Sequence, residues 1–275
     1  KKGDTDRAAN YRPISLLSSF YKLYMILIRK RIQDVTEKAV TKTQYGFRPA
    51  KSTAHAIFII RRLQDFAEST GEALYLTLLD WEKAFDKVDR TMMWACMEKI
   101  GIPPKLINIT KQLYKNTIFR TESDGLASKW WNQETGIRQG CPLSPYLFLI
   151  VMTIMFHEIK HKIQHKLTPS RAEGIDFDEV FYADDTICIG TDTRKLNDFI
   201  KEIENSAAFR LDQANDQRGL FAVFAGNKRK SLLTQEGRDY FKHIALTLAP
   251  INEYNCIRAL DALDSLNLVD EEPQV

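Results

Sequence analysis

The sequence FYADDTICIG, residues 181–190, places two adjacent carboxylates inside an otherwise apolar segment that favours β-strand. Burying Asp184 and Asp185 together without a cation would cost of the order of several kcal/mol, so they are not expected in a core. Aspartate is a favoured turn residue, and apolar residues on both sides of a turn can pair as strands. We therefore predict two short strands around a tight turn over residues 180–190, with both carboxylates at the edge of a sheet.

A third carboxylate ends a second apolar strand. The stretch ALYLTLLD, residues 73–80, is β-prone and largely apolar, and it ends on Asp80. Three carboxylates at strand ends can hold two divalent cations about 3.5 to 4 Å apart, which suits phosphoryl transfer. Oxygen ligands without a nearby histidine favour magnesium, with manganese as the alternative, over zinc. From these residues alone, a plain surface turn stays open as the other interpretation.

Working outward, helical periodicity predicts four helices before residue 117, at residues 16–35, 53–68, 90–99 and 103–115. Residues 117–135 suit a hairpin, the segment after GIRQGCPLSP suits a long helix to about residue 165, and another helix follows residue 190. Helices interleaved with hairpins predict an α+β fold with an antiparallel sheet.

Composition excludes several classes of protein. The 275 residues carry 39 Lys and Arg against 36 Asp and Glu, a formal net charge of +3, which excludes a disordered tail, a collagen-like rod and a polybasic arm. Four widely separated cysteines favour neither a zinc knuckle nor a disulfide scaffold. We expect an intracellular chain, in nucleus or cytoplasm, without a signal peptide or membrane span, and its first residue, Lys1, suggests a fragment.

Five sequence blocks occur in an order that resembles the reverse transcriptases of non-LTR retrotransposons, which are similar to those of group II introns. The resemblance covers roughly residues 1–205. The blocks are NYRPISLL (residues 10–17), QYGFRPAKST (44–53), LLDWEKAFDKVDR (78–90), GIRQGCPLSPYLF (136–148) and FYADD (181–185).

The resemblance implies an RNA-directed DNA polymerase with a right-hand fingers-palm fold and two-metal nucleotidyl transfer to a primer 3′-hydroxyl. It implies fingers with part of the palm in residues 1–75 and a palm in residues 76–205. Residues 206–275 form an atypical segment without a recognisable thumb, with 8 basic and 10 acidic side chains. The implied partners are an RNA template, a DNA primer and deoxynucleoside triphosphates, with no membrane.

Carried over position by position, the resemblance implies four metal-binding residues and five others at the site. Two Mg²⁺ ions would be held by Asp80, Asp184, Asp185 and the backbone carbonyl of Trp81. Nucleotide binding would involve Trp81 as well, together with Arg12 at the triphosphate, Phe85 as a steric gate against a ribose 2′-hydroxyl, and Gln139 and Gly140. Arg48 would face the template.

Two other functions remain open from the sequence. HEIKH fits the HExxH pattern of zinc metalloproteases, with His157 and His161 as ligands and Glu158 as base. The apolar stripe through Phe156, Ile159, Ile163 and Leu167 predicts instead that these histidines lie on a solvated helix face. A non-catalytic nucleic-acid-binding or assembly module derived from a reverse transcriptase is the second alternative.

Overall fold

The structure of the chain, a computed structural model, describes residues 14–79, 81, 83–123, 125–163, 167–168, 177–210 and 221–224. Arg12 and Asp80, both singled out in the sequence, lie outside these residues. The helices in the described part are α1 (Ser19–Ala39), α2 (Thr53–Thr70), α3 (Arg90–Lys99), α4 (Pro104–Tyr114), α5 (Ser144–Ile163) and α6 (Thr193–Arg210). The strands are β1 (Leu74–Leu79), β2 (Ile118–Phe119), β3 (Glu122–Ser123), β4 (Leu126–Ala127), β5 (Trp131–Asn132), β6 (Glu179–Tyr182), β7 (Asp185–Gly190) and β8 (Phe221–Phe224).

The main sheet has four antiparallel strands in the order β6, β7, β1, β8. The predicted hairpin over residues 180–190 is confirmed, since β6 and β7 pair with Tyr182 opposite Asp185. The predicted strand at residues 74–79 is confirmed as β1, which pairs with β7 so that Leu79 lies opposite Thr186. The far end of β1 and the β6–β7 turn therefore lie at the same edge of the sheet.

The fourth strand, β8, comes from the C-terminal segment and was not predicted from the sequence. Strand β8 pairs with the other side of β1, with Leu74 opposite Phe224. A run of four apolar residues is too short for periodicity to distinguish a strand from a helical turn. The pairing with β1 is a long-range contact, and this contact identifies the strand.

Helices cover both faces of this sheet, and successive strand residues face opposite layers, as the two-residue period of a strand requires. Val180 and Ile189 share a buried cluster with Ile60 and Leu63 of α2. Phe181 faces the other layer, where its ring packs edge-on against Phe156 of α5 at 4.6 Å between centroids. The sheet is thus the middle layer of three.

Helix α5 is the centre of the core. Its residues from Tyr146 to Phe156 are all buried, and it packs against α1, α3 and α6. A helix that is apolar all round is stable in water only when protein surrounds it, so this sequence fixes α5 at the centre. Within the described residues, no helix combines the length and apolarity needed to cross a membrane.

Helix ends differ slightly from the predicted ones for identifiable reasons. Helix α1 begins at Ser19 and not near residue 16, because the Ser18 side chain accepts a hydrogen bond from the Tyr21 amide at 3.3 Å and acts as the N-cap. Helix α4 has Pro104 in its first turn, as predicted. The predicted hairpin over residues 117–135 consists of two nested pairs, β2 with β5 and β3 with β4.

Arg90 fastens this hairpin to the core. Its guanidinium donates to the backbone carbonyls of Gln133 at 2.8 Å and Gly136 at 3.0 Å, and it lies over the Tyr114 ring at 5.0 Å. Burial lowers the pKa of Arg90 from its ordinary value. The Arg90 side chain therefore links α3 to the segment that leads into residues 136–140.

A buried ion pair joins the sheet to α5. Glu179 has a side chain that is 1% exposed, and its Oε1 lies 2.7 Å from Nζ of Lys160, whose side chain is 30% exposed. Burial, together with the neighbouring Glu179 carboxylate, raises the pKa of the Cys188 thiol, which lies opposite Glu179 in the sheet. The lysine thus compensates a carboxylate in an apolar layer.

We expect Lys160→Met to lower the free energy of unfolding by about 3 kcal/mol, because it leaves the Glu179 carboxylate buried without its cation. Lys162→Met is the matched control, since Lys162 pairs with Glu202 at the surface and is 60% exposed. That pair should contribute about 0 to 1 kcal/mol. Denaturant titration of both variants measures the difference, and equal losses would contradict the assigned role of Lys160.

Candidate active site

The turn between β6 and β7 presents the paired carboxylates at the sheet edge. Asp184 and Asp185 are both partly exposed, and the Thr186 hydroxyl donates to the Asp184 carbonyl at 3.2 Å. Ala183, the residue before them, has φ of +61°, in the left-handed region that residues other than glycine rarely adopt. Because Asp184 follows directly, the conformation of Ala183 determines the direction of its carboxylate.

Both chain neighbours of Asp80 lie against the start of β7. Leu79 pairs with Thr186, and the indole Nε1 of Trp81 donates to the Thr186 hydroxyl at 2.9 Å. Trp81 is 7% exposed, and its carbonyl accepts a hydrogen bond from the Ala84 amide at 3.3 Å. The sequence-predicted Trp81 is thus brought next to the residue that follows Asp185.

The segment at residues 43–46 lies along β6 and ends against the same turn. The Phe181 amide donates to the Thr43 carbonyl at 3.0 Å, and the Tyr45 amide donates to the Phe181 carbonyl at 2.9 Å. Gly46 touches the turn itself, because a Cβ at this position would lie 2.0 Å from the amide nitrogen of Ala183. The close approach requires glycine, whatever its backbone conformation.

Phe85 is held between two other aromatic rings. It stacks on Phe148 of α5 with centroids 4.9 Å apart, and the Phe47 ring meets it edge-on at 6.2 Å. The Phe85 residue is partly buried. These contacts fix its position, while its role as a steric gate stays a prediction.

Gln139 and Gly140 lie between Asp86 and the N-terminal end of the described chain. The side-chain Nε2 of Gln139 donates to both carboxylate oxygens of Asp86, at 3.2 and 3.3 Å, and the backbone carbonyl of Gln139 accepts from the Ser15 amide at 2.8 Å. Gly140 has φ of +98°, and a Cβ there would lie 3.0 Å from the Ser15 carbonyl oxygen. The structure therefore brings the blocks around Ser15, Asp86 and Gln139 together.

Asp86 was not among the residues predicted for the site. Burial raises the pKa of its carboxyl, while the hydrogen bond from Gln139 and the positive charge of Lys83 oppose that shift. The carboxylate orients the Gln139 side chain, since an ionised carboxylate accepts hydrogen bonds and thereby fixes which end of the amide faces it. The one feature of the sequence that could have indicated a role for Asp86 at the site is its position directly after Phe85.

Arg48 has its guanidinium directed into its own loop. Nε donates to the Glu37 carboxylate at 2.8 Å, and one terminal nitrogen donates to the carbonyls of Thr41 at 3.0 Å and Gln44 at 3.1 Å. The side chain is 11% exposed. These contacts give Arg48 a structural role in holding residues 41–48 together, and a contact with the template stays a prediction.

The HEIKH segment lies near the C-terminal end of α5. His157 and His161 are both exposed, with ring centroids 4.5 Å apart, and Glu158 forms an ion pair with Lys99. The predicted solvated face is therefore confirmed. Because Glu158 is engaged by a lysine, the carboxylate that a zinc protease needs as its base is already paired.

The donors in the turn suit a hard divalent cation. Among the residues that the structure describes, there is no group of three His, Cys, Asp or Glu side chains placed to hold one metal ion. Two of the three predicted carboxylates stand in the turn, and the third, Asp80, lies outside the described residues. Carboxylate oxygens at a partly exposed edge are the ligand type that Mg²⁺ and Mn²⁺ prefer.

The sequence of the chain is similar to those of several known proteins. Residues 1–216 match the family described as reverse transcriptase (RNA-dependent DNA polymerase). The chain is 30% identical over 194 residues to a transposon TX1 uncharacterized 149 kDa protein of Xenopus laevis, covering 70% of this chain and 14% of that protein. It is 24% identical over 204 residues to the Pol polyprotein of the type-1 retrotransposable element R2 of Nasonia vitripennis, covering 74% of this chain and 19% of that protein. The chain thus spans less than a fifth of these two relatives.

The fold is similar to that of a solved structure. Apo telomerase from Candida tropicalis, truncated from its C-terminal domain, matches with a TM-score of 0.54 and 14% identity, over 77% of this chain and 42% of that one. The likeness concerns the fold alone. Together with the antiparallel sheet and its covering helices, it confirms the predicted α+β fingers-palm fold.

We expect Gly46→Ala to lower the free energy of unfolding by about 3 kcal/mol, because the added methyl group meets the rigid backbone of Ala183. Gly71→Ala is the control, since Gly71 has φ of +73° but open space around it. Only backbone strain opposes that change, at about 1 kcal/mol. Chemical denaturation compares the two variants, and a larger loss at Gly71 would contradict the close contact.

Proposed function

The chain belongs to the reverse transcriptase (RNA-dependent DNA polymerase) family, and from this premise we propose that it adds deoxynucleotides to a primer 3′-hydroxyl on an RNA template. The observation that carries the proposal is the β6–β7 turn, in which Asp184 and Asp185 stand beside the end of β1. Paired carboxylates at strand ends are the ligands that metal-dependent phosphoryl transfer needs.

We propose Asp80, Asp184, Asp185 and the Trp81 carbonyl as the ligands of two Mg²⁺ ions, with Mn²⁺ as a substitute. Support for Asp80 comes from Leu79 and Trp81, which both contact Thr186. The Trp81 carbonyl keeps a lone pair beside its hydrogen bond from Ala84. When bound, such ions stabilise the attacking and the leaving oxygen of the transferred phosphoryl group.

The remaining site residues would orient the incoming nucleotide. The Phe85 ring, fixed by Phe148 and Phe47, would exclude a ribose 2′-hydroxyl and so select deoxynucleotides. Gln139, oriented by Asp86, and the exposed Gly140 would meet the nucleotide. Arg12 would bind the triphosphate, as a guanidinium fork suits phosphate oxygens, and Arg48 would approach the template.

We also propose how the chain is divided and where it acts. Residues 1–75 would form the fingers with part of the palm, residues 76–205 the palm, and residues 206–275 an atypical segment that adds β8 to the edge of the palm sheet. A template RNA and a DNA primer would be its partners. It would work inside the cell, in nucleus or cytoplasm, where both can be reached.

Replacing either aspartate of the turn should abolish synthesis. We expect Asp184→Asn and Asp185→Asn to lower the rate of primer extension on an RNA template with Mg²⁺ by at least about a hundredfold, since each removes a charge from the reacting centre. Asp198→Asn, at an exposed position on α6, is the control. Wild-type rates in the Asp184 and Asp185 variants would contradict the proposed function.

The same assay addresses the non-catalytic alternative. A wild-type chain that binds primer and template but does not extend the primer under any divalent cation would favour a binding or assembly module. Binding is measured by fluorescence anisotropy of a labelled primer–template, so the two functions give separate readouts.

Shortening the Phe85 side chain should relax sugar selection. We expect Phe85→Val to lower the ratio of kcat/KM for a deoxynucleotide over that for its ribonucleotide by about 10- to 200-fold. Because both rates are measured on one variant, any loss of folded protein cancels. Phe58→Val on α2, where the ring is 60% exposed, is the control. An unchanged ratio at Phe85 would contradict its role as a steric gate.

A further inference from the structure

The β6–β7 turn contains a residue whose conformation needs outside support. Ala183 has φ of +61° and stands directly before the two carboxylates. A residue other than glycine keeps a left-handed backbone only when its surroundings hold it there. Another residue must therefore stabilise the left-handed conformation of Ala183.

The Gln44 side chain forms hydrogen bonds with both the backbone carbonyl and the backbone amide of Ala183. Its Nε2 donates to the Ala183 carbonyl at 3.3 Å, and its Oε1 accepts from the Ala183 amide at 3.1 Å. The same Oε1 accepts from the Gly46 amide at 2.7 Å. Two N–H donors converge on one oxygen, so the orientation of the carboxamide is fixed.

Burial makes these hydrogen bonds obligatory. Gln44 is 2% exposed, and Ala183 is 6% exposed, so water does not replace a lost partner at either residue. The backbone of Gln44 also forms a parallel β-bridge with Phe181 of β6. This pairing fixes the position of Gln44 along β6 and so places its side chain beside the turn. The Gln44 carboxamide is therefore held in one orientation beside the β6–β7 turn and is not exposed to solvent.

We infer that Gln44 is a positioning residue for the catalytic carboxylates. Its carboxamide keeps Ala183 left-handed, and in this way it fixes the directions in which Asp184 and Asp185 point. Gln44 itself touches neither substrate nor reacting atoms. The inference rests on the proposed function, because it assigns Gln44 a part in that same site.

A purely structural role would have a different signature. If Gln44 only fastened residues 41–48 to the sheet, its loss would lower stability without a selective effect on kcat, and no change at Ala183 would compensate. If Gln44 acts through the backbone of Ala183, a residue that adopts the left-handed region without steric cost should restore function. Glycine is that residue.

The test is a double-mutant cycle with Gln44→Met and Ala183→Gly. Methionine keeps the length and approximate volume of glutamine but removes its hydrogen-bonding groups. We expect Gln44→Met to lower kcat for primer extension about a hundredfold, with KM for the nucleotide changed less than threefold, and Ala183→Gly in that background to recover at least tenfold. Gln112→Met, at an exposed glutamine on α4, is the matched control.

A second readout does not depend on catalysis. Binding of Mn²⁺ alone, followed by the EPR signal of the free ion, should weaken about tenfold in Gln44→Met and strengthen again when Ala183→Gly is added. If Gln44→Met does not fold by circular dichroism, Gln44→Asn takes its place, because it keeps the amide but withdraws it from Ala183. The same selective loss of kcat and the same recovery by glycine are expected.

The outcomes separate the inference from the proposed function. A wild-type chain that extends the primer, with Gln44→Met at wild-type kcat and Mn²⁺ affinity, would overturn the inference and leave the function intact. Loss without recovery by Ala183→Gly would also overturn it. A wild-type chain that never extends a primer would overturn the function, and the Mn²⁺ measurement would still decide whether Gln44 positions the carboxylates.

Discussion

The hydrogen bonds between the Gln44 carboxamide and the backbone of Ala183 connect parts of the chain that are 139 residues apart. They act where two carboxylates follow each other at a turn, and where like charges would otherwise push the side chains apart. A tight turn has few hydrogen bonds of its own, so its geometry depends on the neighbouring segment at residues 43–46. That segment continues to Phe47, whose ring meets Phe85, and it therefore contacts the carboxylate turn and the proposed steric gate together.

The three layers of the fold make this arrangement rigid. Strand β1 runs through the middle of the sheet, with α2 on one face and α5 on the other, and its end meets the start of β7. Helix α5 also supplies Phe148 beneath the Phe85 ring. The site residues stand mostly in turns, but these turns are anchored to the buried strands of the sheet and, through Phe148, to α5. Small changes in exposed loops therefore need not move them.

The sequence predicted the elements with strong local signals and missed the contacts between distant residues. The apolar flanks of Asp184 and Asp185 were enough to predict the hairpin, and the apolar stretch before Asp80 was enough to predict β1. The start of α1 differed because the Ser18 cap outweighs the apolar pattern that begins at residue 16.

The functions of Gln44 and Asp86 were not predictable locally, because each depends on a partner far along the chain. Gln44 reads as an ordinary loop residue until Phe181 and Ala183 lie beside it. Arg48 shows the opposite case, in which a motif suggested a nucleic-acid contact and the fold supplies internal partners for the guanidinium.

We propose that the β6–β7 turn binds two divalent ions through Asp184 and Asp185, and that Gln44 keeps the turn in the conformation this binding needs. An experimental structure of the chain with an RNA–DNA primer–template, a non-hydrolysable deoxynucleotide and Mg²⁺ tests it most directly. We expect carboxylate oxygens of Asp184 and Asp185 at about 2.0 to 2.1 Å from Mg²⁺, with Ala183 still left-handed and hydrogen-bonded to Gln44. Ions bound away from this turn, or a turn that has released Gln44, would contradict it.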